Sequence, residues 1–228
     1  MNSVIIPAAG SSRRMGNSVN KQLLMLLNKE VIAYTIDIFY NHSLIDDIIL
    51  VISEKDKKDF QKVINKYKYK NIKIVIGGDS RRASVYNGLL QVSKHTSKVL
   101  IHDGARPFFK KEYIEKIMTL LEKHASVVMA VKLKDTIKRV DGNFVTETLE
   151  RNQLINVQTP QGFIFDVLLK AYQWGIKNDI KVTDDSSLVE KLGHKTAVIF
   201  GDYDNIKITT PEDIKFGEVI VKEGLLCE

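Results

Sequence analysis

Five short runs rich in β-branched residues recur along the first 131 positions: SVIIP (3–7), DIILVI (47–52), IKIVI (72–76), KVLIH (98–102) and SVVMAV (126–131). A strand with one wet face alternates apolar and polar residues. Runs that are apolar nearly throughout need cover on both faces, as central strands of a parallel sheet do. Helical periodicity fills the intervals, over about 31–40, 55–68, 82–93 and 111–124. The βαβαβαβαβ order predicts an α/β, Rossmann-like fold with a mainly parallel, doubly wound sheet. In such sheets ligands bind at loops following the carboxyl ends of strands. Here those loops read AAGSSRRMG, ISEKD, GGDSRRAS and HDGARP, and three of the four hold both glycine and arginine.

After residue 132 the alternation stops. TIKRV and NFVTET flank Asp141-Gly142, a strong two-residue hairpin signal. The hairpin has too few apolar residues to bury itself in the main core. It is read as a projecting β-arm that finds cover on a second subunit, or else as a solvent-exposed flap. Helical patterns return over about 165–177 and 185–192, followed by a strand, TAVIF (196–200). A last helix opens with Thr210 as N-cap and Pro211 at its first position. The expectation is a single domain over 1–228, with the arm inserted at about 133–156.

The formal charge of +6 raises the question of nucleic acid. The lysines at 55, 57, 58, 62, 66, 68 and 70 are interleaved with Asp56, Asp59, Phe60, Val63 and Ile64, which is the solvated face of an amphipathic helix. With no compact basic run, nucleic-acid binding is not expected. No apolar run approaches the ~20 residues that span a bilayer, and the N-terminus enters its first strand without a charged leader, so neither a membrane span nor export is expected. The single cysteine, Cys227, cannot close an internal disulfide and fits a cytoplasmic location. Lysines number 27 and arginines seven, at 13, 14, 81, 82, 106, 139 and 151. Generic surface charge is thus carried by lysine, and the arginines, suited to bidentate phosphate contacts, gather near loops and the hairpin.

The opening loop, PAAGSSRRMGNSVNK (7–21), fits neither familiar phosphate fingerprint. Gly10 and Gly16 have Walker A spacing, but Asn17 follows in place of lysine, and Gly10-Ser11-Ser12 lacks the second Rossmann glycine. There remains a small-residue turn that lets backbone approach a ligand, then two guanidinium groups and Lys21, a set suited to a triphosphate. In HDGARP, Asp103 and Arg106 follow a buried strand and suit a Mg²⁺-triphosphate and a phosphate, or simply shape the turn. In GGDSRRAS, Asp79 and Ser84 suit a base or ribose, while Asp79 or Ser80 caps the next helix. Lys207 is the functional candidate of DNIKITTPED, and TDDSS (183–187) is read as a helix cap rather than a metal site. The histidines lack metal-ligand spacing, and no Ser-His-Asp arrangement or G-x-S-x-G is present. Cations, backbone amides and an aspartate without an evident base suit a reaction whose nucleophile is already an anion. Phosphate attack on the α-phosphate of a nucleoside triphosphate is such a reaction.

With these residues in view, the chain resembles the 2-C-methyl-D-erythritol 4-phosphate cytidylyltransferases of the non-mevalonate isoprenoid pathway. The motifs that carry the resemblance run nearly end to end: PAAGSSRRMG with Lys21-Gln22, GGDSRRASV, HDGARP, Asp135 to Lys138, Arg151-Asn152, QTPQGF, TDDSS and DNIKITTPED. The resemblance implies a glycosyltransferase-A-like nucleotidyltransferase fold, a homodimer and Mg²⁺. It implies that Arg14 and Lys21 neutralise the CTP phosphates and that Arg151 and Lys207 position the methylerythritol phosphate. It assigns cytosine to Ala8, Ala9, Gly10, Gly78, Asp79 and Ser84, and further substrate contacts to Asp103, Arg106, Thr136 and Thr159. Thr136 and Arg151 would act across the dimer, on the partner's site. No metal ligand is assigned. Two departures stand out. Asn20 occupies a position where the family often has proline, which is expected to loosen the loop, and DGARP stands where DAARP is also common.

The nearest rival is the ribitol 5-phosphate cytidylyltransferase branch, which shares the CTP half of the site. AAGSSRRM and Arg151-Asn152 look more like the methylerythritol branch. An NAD-dependent oxidoreductase fails on the glycine fingerprint. A non-catalytic nucleotide-binding regulator would lack some of Arg14, Lys21 and Lys207, and all three are present.

Overall fold

The computed structural model describes residues 1–10 and 20–224. Strands β1 (Asn2–Pro7), β2 (Met25–Leu26), β3 (Lys29–Glu30), β4 (Asp47–Ile52), β5 (Ile72–Ile76), β6 (Lys98–Ile101) and β7 (Ser126–Lys132) follow in chain order. Then come β8 (Lys138–Asp141), β9 (Phe144–Thr148), β10 (Ile155–Ile164) and β11 (Thr196–Phe200). The helices are α1 (Val31–Phe39), α2 (Lys57–Lys66), α3 (Arg81–Leu89), α4 (Tyr113–Leu120), α5 (Phe165–Lys177), α6 (Ser186–Lys191) and α7 (Pro211–Lys222). All five apolar runs of the first 131 residues form central-sheet strands.

The main sheet has seven strands in the order β11-β7-β10-β6-β1-β4-β5. β1 pairs in parallel with β4 and β6, and β4 with β5. β10 runs antiparallel between β6 and β7, and β11 returns parallel to β7. The sheet is therefore mixed, with one reversed strand among six of common direction. Every residue of β4 is buried, as a strand covered on both faces requires. One face packs against α1, α2 and α4 around Ile32, Phe39, Phe60 and Ile117, and the other against α3, α5 and α6 around Val85, Leu168, Tyr172 and Leu188.

Two local features set up the site. Gly88 lets α3 lie close to the sheet, since a Cβ there would stand 2.8 Å from Ile5 Cγ2 and 3.0 Å from Val51 Cγ2. The first residue of α3, Arg81, is thereby held near the strand ends. At α7, Asp213 Oδ2 accepts hydrogen bonds from the Thr209 and Thr210 N–H groups at 2.7 and 2.8 Å, closing a capping box that fixes the segment after Lys207.

The arm forms as the Asp-Gly signal predicts. β8 pairs antiparallel with β9, and Arg139 pairs with Glu147 across the strands at 2.8 Å. Every residue of both strands is exposed, including Val140, Phe144 and Val145. No helix among the described residues is long and apolar enough to cross a membrane.

Candidate active site

β4 and β5 extend the sheet to one side of β1, while β6 pairs on the other, so the chain reverses its direction of growth between β1 and β6. A crevice opens at such a switch point. Here it is a cleft of about 660 Å³ lined by Ala9 and Gly10 after β1, Gly78, Asp79 and Ser84 after β5, Asp103 after β6, and Lys21 and Lys207. Ala8 is buried beneath, its N–H bonded to Val51 O at 2.6 Å. Gly77 permits the close approach of the two glycine loops, because a Cβ there would meet Ser84 Oγ at 2.6 Å and Ala9 Cβ at 2.8 Å. Ser84 holds that turn: the Gly78 N–H donates to its hydroxyl at 3.2 Å, and the hydroxyl reaches Gly78 O at 3.3 Å. Ser80, not Asp79, caps α3 by accepting from Ala83 N–H at 3.0 Å, which leaves Asp79 exposed on the cleft wall.

A second cleft of about 480 Å³ adjoins the first and shares Arg81, Asp103 and Lys207 with it. It adds Arg106, Thr159, Gln161, Asp184 and Ser187, among others. Asp103 is the centre of the shared wall. Lys207 Nζ lies 2.7 Å from its Oδ2, Arg106 Nε 3.7 Å from the same oxygen, and Arg81 Nε 3.7 Å from Oδ1. Burial pushes the Asp103 carboxyl up, but Lys207, then Arg81 and Arg106, push it down further, and it sits well below the ordinary carboxylate range. Asp103 is thus an anion at every working pH, and the wall carries three cations around it.

The backbone behind Asp103 is equally fixed. Its N–H donates to Thr159 Oγ1 at 3.0 Å, and Thr159 Oγ1 lies 3.2 Å from His102 Nδ1. His102 Nε2 lies 2.9 Å from Arg106 O. A carbonyl only accepts, so Nε2 carries the hydrogen and Nδ1 accepts from the threonine hydroxyl. The Thr159 carbonyl is also taken, by Asn205 Nδ2 at 2.9 Å, so Thr159 anchors this wall with both its hydroxyl and its carbonyl. Arg106 is drawn back by a 2.7 Å bond to Asn205 O.

His102 is fully buried, and burial holds it down to about 4, so the folded protein keeps it neutral. Unfolded, it titrates near its ordinary 6.5. Between these values the unfolded chain binds the extra proton. Its contribution to stability is complete above about pH 6.5 and is lost as pH falls toward 4, amounting to about 3 kcal/mol at ~1.4 kcal/mol per unit. His102→Gln is expected to flatten the dependence of urea-unfolding free energy on pH in this window. An unchanged slope would contradict this origin.

Lys21 begins a short 3₁₀ turn and reaches across the cleft mouth, donating to Ile208 O at 2.6 Å. Its neighbour Asn20 stands where an expectation of a looser loop was placed. Residues 11–19 of the loop lie outside the described residues, but Asn20 itself is not slack. It is buried, and its amide donates to Ala8 O at 3.0 Å and Asp56 Oδ2 at 2.9 Å, while its Oδ1 accepts from Gln22 N–H at 3.1 Å. One side chain ties the small-residue turn to the lysine.

The remaining candidates stand apart. Thr136 and Arg151 are exposed at the base of the arm and line neither cleft, and Arg151 donates to Lys134 O at 2.6 Å. Arg13 and Arg14 lie outside the described residues. The other adjacent pair is committed within the fold: Arg81 to Asp185, and Arg82 to the Ile180 carbonyl and Asp179. Asp184 accepts from Ser187 N–H at 3.3 Å and from the Ser186 hydroxyl at 2.9 Å, the capping role read for TDDSS. Among the described residues, no three His, Cys, Asp or Glu side chains gather as a metal cage.

Two polar clefts sharing a cationic wall suit two anionic substrates held side by side. Comparison with known proteins gives that geometry a family. Residues 2–223 match the family model of 2-C-methyl-D-erythritol 4-phosphate cytidylyltransferase. The chain belongs to that family. It is 47% identical over 223 residues to a cytidylyltransferase of that name from Clostridioides difficile, covering 97% of this chain and 94% of the relative. It is 45% identical to one from Alkaliphilus metalliredigens, with 99% and 96% covered. Its fold matches the crystal structure of 4-diphosphocytidyl-2C-methyl-D-erythritol synthase from Anaerococcus prevotii with a TM-score of 0.86, at 35% identity and with 97% and 96% of the two chains covered.

As a member of this family the chain shows both what motifs find and what they miss. Of the residues singled out by motif, Asp103, Lys207, Lys21 and the two glycine loops come together around the first cleft. Motif reading missed the partners that hold them: Asn20, Asn205, Gln161 and the buried Asp185. The one local signal for Asp185 was the TDDSS capping pattern, and nothing in sequence linked it to Arg81, 104 positions away.

Proposed function

We propose that the two clefts are the two halves of one nucleotidyl-transfer site. The protein is a cytidylyltransferase that moves CMP from CTP to 2-C-methyl-D-erythritol 4-phosphate in isoprenoid precursor biosynthesis. The acceptor's phosphate oxygen forms a bond to the α-phosphorus of CTP. The bond from that phosphorus to the bridging oxygen breaks, pyrophosphate leaves, and 4-diphosphocytidyl-2-C-methyl-D-erythritol remains. The observation that carries this assignment is the family match over residues 2–223.

In this reading the glycine turns take the nucleotide. Ala9 and Gly10 bring backbone to the cytosine from one side, over the buried Ala8 that supports their turn, and Gly78, Asp79 and Ser84 line the other. Lys21 faces the triphosphate as a catalytic cation, and Arg14 is assigned the same charge-neutralising role. Lys207 on the shared wall and Arg106 in the second cleft face the acceptor phosphate, with Thr159 anchoring that side, and Asp103 between the two cations offsets their mutual repulsion. A phosphate entering this wall competes with Asp103 for Lys207. The site therefore does its work by charge and placement rather than by proton abstraction.

A divalent cation, Mg²⁺ by preference, fits as part of the CTP complex. Asp103 is already paired at 2.7 Å with Lys207, and the described residues offer no cage, a donor set suited to an ion held chiefly by phosphates and water. When bound, the ion would neutralise charge on the leaving pyrophosphate, with Asp103 as its candidate protein partner.

The single nucleotidyltransferase domain covers 1–228, and the arm at about 133–156 serves a homodimer. The exposed Val140, Phe144 and Val145 on an arm with no buried residue in either strand support this, as does the placing of Thr136 and Arg151 away from both clefts. Both residues would then complete the partner's site. The lone Cys227 suits a cytoplasmic enzyme.

Phosphorus NMR of a mixture of CTP, 2-C-methyl-D-erythritol 4-phosphate and Mg²⁺ is expected to show pyrophosphate and a new diphosphate ester growing together. Neither should form when one substrate is omitted. Pyrophosphate release from CTP alone would contradict the transfer.

A further inference from the structure

We propose that Arg81 is a positioning residue, held by buried Asp185 so that its free edge fixes the Asp103 carboxylate against Lys207. The inference rests on the reading above, in which Lys207 meets the acceptor phosphate.

Arg81 stands at the first position of α3 and lines both clefts, where it looks like one more phosphate ligand. Its bonding says otherwise. Both terminal nitrogens are taken by Asp185, at 2.9 Å to Oδ1 and 2.7 Å to Oδ2. A guanidinium whose fork is filled cannot grip a phosphate in the same way. Asp185 is itself immobile at 1% exposure. The Tyr172 hydroxyl donates to its Oδ1 at 2.5 Å, and its backbone N–H and that of Ser186 donate to Gln161 Oε1 at 3.2 and 3.1 Å. Gln161 lies on β10, so the sheet anchors the carboxylate that anchors the arginine.

Two of the five guanidinium N–H groups are thus spent on Asp185, and on the edge turned away from it Nε stands 3.7 Å from Asp103 Oδ1. Lys207 and Arg106 both address the other oxygen, Oδ2, at 2.7 and 3.7 Å. Among the ion pairs of the described residues, Arg81 is the one partner of Oδ1. The result is a line of alternating charge, Asp185, Arg81, Asp103, Lys207, running from the core to the wall between the clefts. Without Arg81 the Asp103 carboxylate can turn about its own axis, and Lys207 turns with it.

Steady-state kinetics with each substrate varied separately tests this, using Arg81→Lys, Asp185→Asn, the double variant, and Arg81→Lys in a Lys207→Ala background. Arg81→Lys and Asp185→Asn are each expected to lower kcat/KM for 2-C-methyl-D-erythritol 4-phosphate about tenfold or more, with KM for CTP within about twofold of wild type. The double variant should be no worse than the worse single, and Arg81→Lys should add less than about twofold once Lys207 is gone, because residues acting as a unit are non-additive. A raised KM for CTP would make Arg81 a nucleotide ligand and overturn the proposal, as would a full further loss in the Lys207→Ala background. Should the Arg81 or Asp185 variants not unfold cooperatively, Tyr172→Phe decides. It removes one donor to Asp185, and acceptor kinetics identical to wild type would overturn the proposal. A wild-type enzyme inactive with this acceptor would instead overturn the functional reading beneath it.

Discussion

Lys207→Ala is expected to lower kcat/KM for 2-C-methyl-D-erythritol 4-phosphate by about two to three orders of magnitude, the usual loss for one preorganised charge-stabilising donor. KM for CTP should change little by comparison. Lys207 is the cation closest to Asp103, at 2.7 Å, and it lies on the wall common to both clefts. Deleting it removes the charge nearest the junction where the two substrates must meet. It also leaves Asp103 with only Arg81 and Arg106, each at 3.7 Å, so the carboxylate is less well offset on a wall meant to receive an anion. Both effects act on the acceptor more than on the base-binding turns after β1 and β5. A variant with near wild-type kcat/KM would remove Lys207 from the site.

The second large effect concerns the arm. Arg151→Ala and Lys207→Ala homodimers are each expected to be nearly inactive, yet to regain activity when mixed and allowed to exchange subunits. In a heterodimer, a site served in trans by Arg151 has one composition in which both residues are intact. Random exchange at equal concentrations makes half the dimers mixed, each with one good site of two, so the plateau should lie at about a quarter of wild-type activity for a two-fold dimer. Arg151 reaches Lys134 O rather than either cleft of its own chain, and the arm exposes Phe144, Val140 and Val145. No recovery, with exchange verified by tagged subunits, would place Arg151 in its own chain's site.

The central sheet was legible because its signal is local. Runs such as DIILVI announce burial on both faces, and β4 is buried at all six positions. The reversed strand β10 was not legible as a strand. Its centre reads QTPQG, with a proline and three polar side chains that periodicity assigns to a loop. They are buried because Gln158, Thr159 and Gln161 spend their polar groups on Asn205, Asp103, His102 and Asp184, partners at sequence separations of 23 to 57. Those bonds exist only once the sheet has assembled. The same holds for the site. Asp103 and Lys207 each sit in a recognisable motif, but that they touch follows from β6 and the segment before α7 ending at one place. Asn20 is a third case of partners that the sequence does not announce. Judged as a missing proline it read only as a departure, and its three buried hydrogen bonds, to Ala8, Asp56 and Gln22, could not be seen from the sequence.

The most direct test of the account pairs each of the four NTPs with 2-C-methyl-D-erythritol 4-phosphate and with ribitol 5-phosphate, in the presence of Mg²⁺, and measures pyrophosphate release. Turnover is expected with CTP and 2-C-methyl-D-erythritol 4-phosphate, and little with any other pair. Activity confined to ribitol 5-phosphate would contradict the acceptor, and preference for another nucleotide would contradict the cytidylyl assignment.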